Sequence, residues 1–360
     1  MIKRIFSNNR FRNLVQWMLA ACISFCVANV LILPYWKAPG WIARDAGATS
    51  ALYHAGTTLV NGYEGYGIMN VDSHGYLNED LPLADSFVLT MGCSHTKAIE
   101  VAPDERYTSI LNDALSGRDD SHLYVYNLAI DGFYFPDIVK GFEAALAEFP
   151  GAETIIIEIP TTDFDLALLT DAVNSRPFDP AKTGESLYAA QSPKEKVKIG
   201  IKENLPILSL YLSKQFTNMG PGDDTPFLYS PAVSEAPQYS VTKEAYLLAL
   251  EPALAHLKEK YDKEIIIYFH PFATIGKTGE LVTDTSVTIK WFAESCDKYG
   301  ITFVDATEAF LQSYEKNHTV PYGFSNTSPG AGHLNKEGHL ISARLLLEAL
   351  MANYVTGEDS

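Results

Sequence analysis

The chain has 360 residues, with 44 Asp and Glu against 27 Lys and Arg and a formal net charge of −17. A surface of that sign repels phosphate backbones, which excludes nucleic acid as a partner; its simplest meaning is solubility. Of the four cysteines, Cys22 and Cys26 fall inside the first apolar run. That leaves neither a disulfide framework nor zinc-ribbon spacing, so no metal or other cofactor is expected.

The first element in chain order is an uncharged stretch of 20 residues, 14–33 (LVQWMLAACISFCVANVLIL). At 1.5 Å per residue, about 20 helical residues cross roughly 30 Å of hydrocarbon. Lys3, Arg4, Arg10 and Arg12 precede it and acidic residues dominate beyond Lys37, so the positive-inside rule gives a single-pass anchor with a cytoplasmic N-terminus. Trp17, Tyr35 and Trp36 suit the two interfaces, and the lipid bilayer is the expected partner of 14–33. Three other readings stay open. One is a cleaved signal peptide, for which Ala28 is the small-residue candidate. Another is a lipoprotein leader, since Leu19-Ala20-Ala21-Cys22 has lipobox character. The third is a buried core helix. In the anchor reading, 1–33 form the cytoplasmic tip and anchor, 34–84 a linker and lead-in rich in Gly, Tyr and Asp, and 85–354 the folded domain.

Apolar β-branched runs then alternate with amphipathic stretches. Strands are predicted at 86–91, 123–130, 154–159, 264–269 and 301–304. Helices are predicted at 105–116, 136–148, 242–261, 285–299 and 337–353. Strands apolar throughout, each followed by a helix, indicate a parallel sheet covered on both faces. The expected fold is therefore α/β, a five-stranded parallel sheet in a flavodoxin-like three-layer α/β/α arrangement. About a hundred residues separate the third strand from the fourth, more than one crossover needs, so 165–240 reads as an insertion that forms a lid, a substrate wall or a separate subdomain.

In open α/β sheets ligands bind at the carboxyl ends of the strands, so the residues that follow each strand carry the functional information. These are Gly92-Cys93-Ser94-His95, then Asp131-Gly132, then Pro160-Thr161-Thr162-Asp163, then His270-Pro271. Gly332-His333-Leu334-Asn335 stands before the last helix. A serine hydroxyl needs a neighbouring base, and imidazole titrates in the right range, so Ser94 and His333 form the candidate catalytic pair. Backbone N–H groups of Ser94 and Gly132 are the candidate oxyanion donors. His95 and His270 could line the pocket or simply pack, as could Asn335.

Together these blocks resemble the SGNH (GDSL-like) hydrolase superfamily. Its Gly-Asp-Ser block is similar to Gly92-Cys93-Ser94, its glycine block to 127–132, and its Asp-x-x-His block to 330–333, followed by Leu334-Asn335 and Gly338. The resemblance spans roughly residues 65–353. It implies a serine hydrolase acting on acyl esters, here of cell-envelope or extracellular glycans. A sugar hydroxyl as acceptor would make it an O-acetyltransferase, and a degraded site would leave a non-catalytic envelope-binding module. Three positions depart from the family. Cys93 replaces an Asp. Thr162 stands where an oxyanion Asn is expected and offers a hydroxyl instead. Gly330 takes the place of the triad Asp, so a backbone carbonyl such as that of Gly330, or else Asp305 or Asp163, is expected to orient His333.

Overall fold

A computed structural model describes residues 9–36, 56, 58–61, 64–79, 86–116, 124–175, 192–194, 196–197 and 241–357. Helix α1, Asn9–Trp36, runs for 28 residues, and its 18-residue window Phe11–Ala28 has a mean hydropathy of 1.4 with none of it buried against the rest of the chain. Length and composition suffice to cross a membrane. A short antiparallel hairpin follows, β1 (Thr58–Asn61) and β2 (Gly67–Asn70), inside the stretch expected to be linker and lead-in. Its buried residues Leu59 and Met69, with Val71 and Leu77, pack against Ile99 of the main domain.

The central sheet has five parallel strands in the order β4-β3-β5-β6-β9, namely Tyr124–Asn127, Phe87–Met91, Ala152–Ile159, Glu264–Phe269 and Thr302–Asp305. Counted along the sheet's own strands this is 2-1-3-4-5, the doubly wound order with its switch point beside the first strand. Period-two alternation sends neighbouring residues to opposite faces. Leu89, Ile155, Ile157, Ile265 and Ile267 meet α4 (Phe135–Glu148), α5 (Leu166–Val173), α6 (Lys243–Lys260) and α7 (Val287–Lys298). Val88, Val125, Ile156, Ile266 and Tyr268 meet α3 (Tyr107–Ser116), α8 (Thr307–Asn317) and α9 (Lys336–Gly357). Both faces are thus covered, which is why these strands read as unbroken apolar runs.

Two features differ from the sequence expectation. The small hairpin β7 (Ala273–Ile275) and β8 (Leu281–Thr283) was not visible in the pattern, because three-residue strands carry too little periodicity. The start of the expected insertion belongs to the core, since Leu169 and Ala172 of α5 are buried against the sheet. Residues 176–191, 195 and 198–240 of that insertion, with both aromatic runs, lie outside the described residues.

Candidate active site

Strand β3 ends at Met91, and the chain leaves the sheet through Gly92 and Cys93 into the single-turn helix α2, Ser94–Lys97. Ala98 ends that turn in the left-handed region at φ 54, a conformation uncommon outside glycine and one that redirects the chain at once. Beneath the turn lies Glu158, only 1% exposed, from the neighbouring strand β5. Its carboxylate accepts the Cys93 N–H at 2.8 Å and the Thr96 hydroxyl at 2.8 Å, and its Oε1 stands 2.6 Å from His270 Nε2 and 3.4 Å from the Cys93 thiol. Burial opposes the charge on Glu158. The His270 ring and the surrounding donors outweigh burial and hold the carboxyl below its ordinary range. Position 93 carries no carboxylate, yet one is delivered under the same loop from another strand.

The last strand and helix bring His333 to this edge. Leu334 pairs with Tyr322 in an isolated bridge, Gly323 N–H donates to the His333 carbonyl at 3.0 Å, and Leu334 N–H donates to His95 Nδ1 at 3.2 Å. The His333 Nε2 then lies 2.9 Å from Ser94 Oγ, across 239 residues of sequence.

The group behind the imidazole is Glu64, from the β1–β2 connection. Its Oε2 lies 2.7 Å from His333 Nδ1, and its Oε1 accepts the His333 backbone N–H at 2.6 Å, so one carboxylate grips the main chain and the ring of the same residue. That approach depends on Gly332, at φ 80, where an added Cβ would fall 1.9 Å from Glu64 Oε1. It depends equally on Gly65, where a Cβ would fall 2.0 Å from the Glu100 carbonyl. Burial of Glu64 works against its charge, but the hydrogen bonds and charge of His333 pull its carboxyl below the ordinary value. For His333, burial again opposes the charged form. The Glu64 hydrogen bond and the charges of Glu100, Glu64 and Asp131 prevail, and the imidazole is pushed up to about 9.

Gly132 sits in the turn after β4 at φ 72, exposed, with nothing within 4 Å of a Cβ position. That turn is tied to the Ser94 loop at three points. Ile130 N–H donates to the Gly92 carbonyl at 3.0 Å, Asn127 Nδ2 donates to the Thr96 carbonyl at 2.7 Å, and the Lys97 ammonium pairs with Asp131.

Several sequence expectations are corrected here. None of Gly330, Asp305 or Asp163 orients His333. The Gly330 N–H is bonded to the Tyr322 carbonyl. Asp305 accepts from the Thr307 N–H and hydroxyl at the head of α8. Asp163 accepts from the Ser286 and Thr288 hydroxyls at the head of α7. Thr162 has the right place in sequence but is wholly buried, with its hydroxyl 2.8 Å from that of Thr288, so it is spent in packing rather than offered to an oxyanion. Asn335 caps α9 by accepting the Glu337 and Gly338 N–H groups. His270 is fully buried between Glu158 and Tyr322. His95 is 5% exposed, packs 5.0 Å from the His333 ring, and is held neutral by burial and by the neighbouring His270, His333 and His339.

Sequence reasoning missed Glu64 and Glu158. A carboxylate inside the otherwise apolar run TIIIEI was a usable signal for Glu158, since an unpaired buried charge is costly. Glu64, Glu100 and His333 place ligand atoms within 4.8 Å of one another, enough to meet a cation, although a cation there would take Nδ1 away from Glu64.

No protein-family model matches the chain, and no curated protein matches it in sequence. Several solved structures are similar to it in fold. One is LAE5, an α/β hydrolase enzyme from the metagenome of Lake Arreo, Spain, at 16% identity and a TM-score of 0.40, covering 74% of this chain and 95% of the other. Another is a putative lipolytic protein of the G-D-S-L family from Desulfitobacterium hafniense DCB-2, at 14% identity and a TM-score of 0.37, covering 73% and 98%. A third is a catalytic mutant of Axe2, an acetylxylan esterase from Geobacillus stearothermophilus, at 15% identity and a TM-score of 0.38, covering 73% and 93%.

Proposed function

We propose that the chain is a membrane-anchored serine hydrolase of acyl esters, working by a Ser94–His333–Glu64 triad. The observation that carries this reading is the continuous hydrogen-bonded line from Ser94 Oγ through the imidazole to Glu64, at 2.9 and 2.7 Å. With His333 neutral, Nε2 takes the Ser94 proton as Oγ attacks the ester carbonyl, and Glu64 stabilises the imidazolium that results. The ring then returns that proton to the leaving alkoxide. A water molecule releases the acyl group by the same two steps. The Ser94 and Gly132 N–H groups face the developing oxyanion, a hole of two backbone donors without the side-chain donor expected at Thr162.

The substrate proposed is an acylated carbohydrate of the envelope or the extracellular space. Phe272, 37% exposed and 5.7 Å from the His95 ring, offers a face at the rim on which a sugar ring could stack. Reaction of the full chain with a fluorophosphonate probe tests the core of the proposal. Labelling that disappears in Ser94→Ala supports it, and a native protein that takes up no probe at any pH ends it. Acetyl transfer to added oligosaccharide in preference to water would make the enzyme a transferase on the same site.

The triad reading makes Glu64 more than a structural contact. Glu64→Gln keeps the shape but holds the wrong imidazole tautomer, and kcat is expected to fall roughly 1,000- to 10,000-fold. Comparable turnover in that variant would return the orienting role to the main chain.

Topology is tested separately. The charge asymmetry about 14–33 puts the N-terminus in the cytoplasm and the domain outside, so protease added to intact cells should degrade the domain. A protected domain, or a mature lipidated N-terminus at Cys22, overturns the anchor reading.

A further inference from the structure

Behind His333 there is a second carboxylate that the triad does not use. Glu100 follows α2 and its turn, and its side chain is 7% exposed. Its Oε1 lies 3.6 Å from His333 Nδ1, beyond the reach of a hydrogen bond, because the single Nδ1 proton is already directed at Glu64. Its Oε2 is buried with no hydrogen-bond partner among the described residues. The main chain at the same residue is well used, since the Glu100 carbonyl accepts the Tyr66 N–H at 2.9 Å and so seats the loop that carries Glu64. A packing role would be served by a neutral side chain of the same shape. A carboxylate with one oxygen shut away from both water and donors is costly wherever it does nothing else.

We propose that Glu100 is a positioning residue that acts through His333: its carboxylate, 3.6 Å from Nδ1, favours the charged ring and so opposes base function until that ring loses a proton. The proposal rests on the Ser94–His333 reading for its effect on catalysis, though not for its effect on the ring. The charged and titratable groups facing His333 are Glu64 from the hairpin, Glu100 after α2, Asp131 after β4 (itself paired with Lys97), His95 on α2 and His339 on α9. Burial pushes the Glu100 carboxyl up to about 7, against the pull of His333. The His333 ring keeps its charge to about 9. With both carboxylates ionised, two negative charges flank one imidazolium, and only when the ring loses its second proton is His333 free to accept the Ser94 proton. Opposite charge within about 4–6 Å commonly moves such a group by one unit or more. Removing the Glu100 charge should therefore let His333 deprotonate earlier.

The experiment uses the full chain in detergent micelles with 13C-labelled histidine. The His333 ring signal is identified by its loss in His333→Gln, and its titration midpoint is compared in the native protein and in Glu100→Gln. The midpoint is expected to fall by about one unit in Glu100→Gln. Glu100→Asp, which keeps the charge, should stay near the native midpoint. Fluorophosphonate labelling rates should cross: Glu100→Gln faster than native at pH 7, by up to about tenfold, and slower at high pH, where its weaker base is the only difference. A merely structural role lowers the rate equally at every pH and leaves the midpoint alone. An unchanged midpoint overturns the proposal even where the probe labels Ser94. A native protein that never labels sinks the triad reading, while the midpoint still decides the part played by Glu100.

Discussion

Ser94→Ala and His333→Ala are each expected to cut kcat on small acetyl esters by roughly 10,000- to 1,000,000-fold, with the double variant little worse than either. The reason is geometric. Ser94 Oγ and His333 Nε2 stand 2.9 Å apart, so the serine is nucleophilic only as fast as the ring takes its proton, and the ring has no other proton to move at that position. Two groups that act as one unit give strongly non-additive losses. A residual rate above background should survive in all three variants, because the proposed oxyanion donors, the Ser94 and Gly132 N–H groups, belong to the backbone and no side-chain substitution removes them. Steady-state kinetics on the three purified proteins measures this. Losses that multiply in the double variant would mean that Ser94 and His333 act independently, which the triad forbids.

Glu158→Ala is expected to destabilise the protein by about 3–5 kcal/mol, the largest stability effect at the site. The deletion strands the Cys93 N–H and one ring nitrogen of His270, both buried and both now bonded to that carboxylate, and leaves the Thr96 hydroxyl only its bond to the Tyr107 hydroxyl. Each orphaned donor costs about 1–3 kcal/mol, more where it is charged. A decrease of that size should lower the melting temperature by about 10 °C. The same substitution loosens the turn that carries Ser94, so activity should be lost below the new melting point as well. Urea unfolding of the two proteins by tryptophan fluorescence gives the difference directly. A change of about 1 kcal/mol or less, the worth of one ordinary hydrogen bond, would show that the cluster does not hold the loop.

What the sequence disclosed and what it hid divide along physical lines. Buried parallel strands are apolar on both faces, so TIIIEI and EIIIYF stand out: the expected 264–269 has the observed bounds, and the other strands differ from expectation by at most three residues at an end, where pairing gives way to turns. Ser94 was legible because it follows a recognisable strand, and His333 because it stands just before a recognisable helix. Glu64 was not, for two reasons. Its hairpin strands are four residues each, and 269 residues separate it from the ring it orients. Nor could one acid among 44 be singled out by composition. Thr162 illustrates the converse. Its place after β5 suggested a donor, but which way a side chain points at a strand end is set by packing, here by Thr288 at the head of α7.

The location of Glu64 also sets where the working molecule begins. The sheet and its helices could be cut free at about residue 85 with Ser94 and His333 both intact, yet such a fragment would leave its carboxylate behind on the hairpin, on the N-terminal side of the cut. On the anchored, Glu64-dependent reading proposed above, enzyme and tether are therefore not separable modules. A protease that severs the chain between β2 and β3 would release a folded domain whose base has lost the covalent guarantee of its partner. The acid would be held by noncovalent ties alone, among them the contacts of Leu59, Met69, Val71 and Leu77 with Ile99, the Tyr66 N–H on the Glu100 carbonyl and the Gly65–Asn326 hydrogen bonds. With α1 as the proposed anchor, shedding from the bilayer and loss of turnover would then be one event, and the activity would remain where that anchor is.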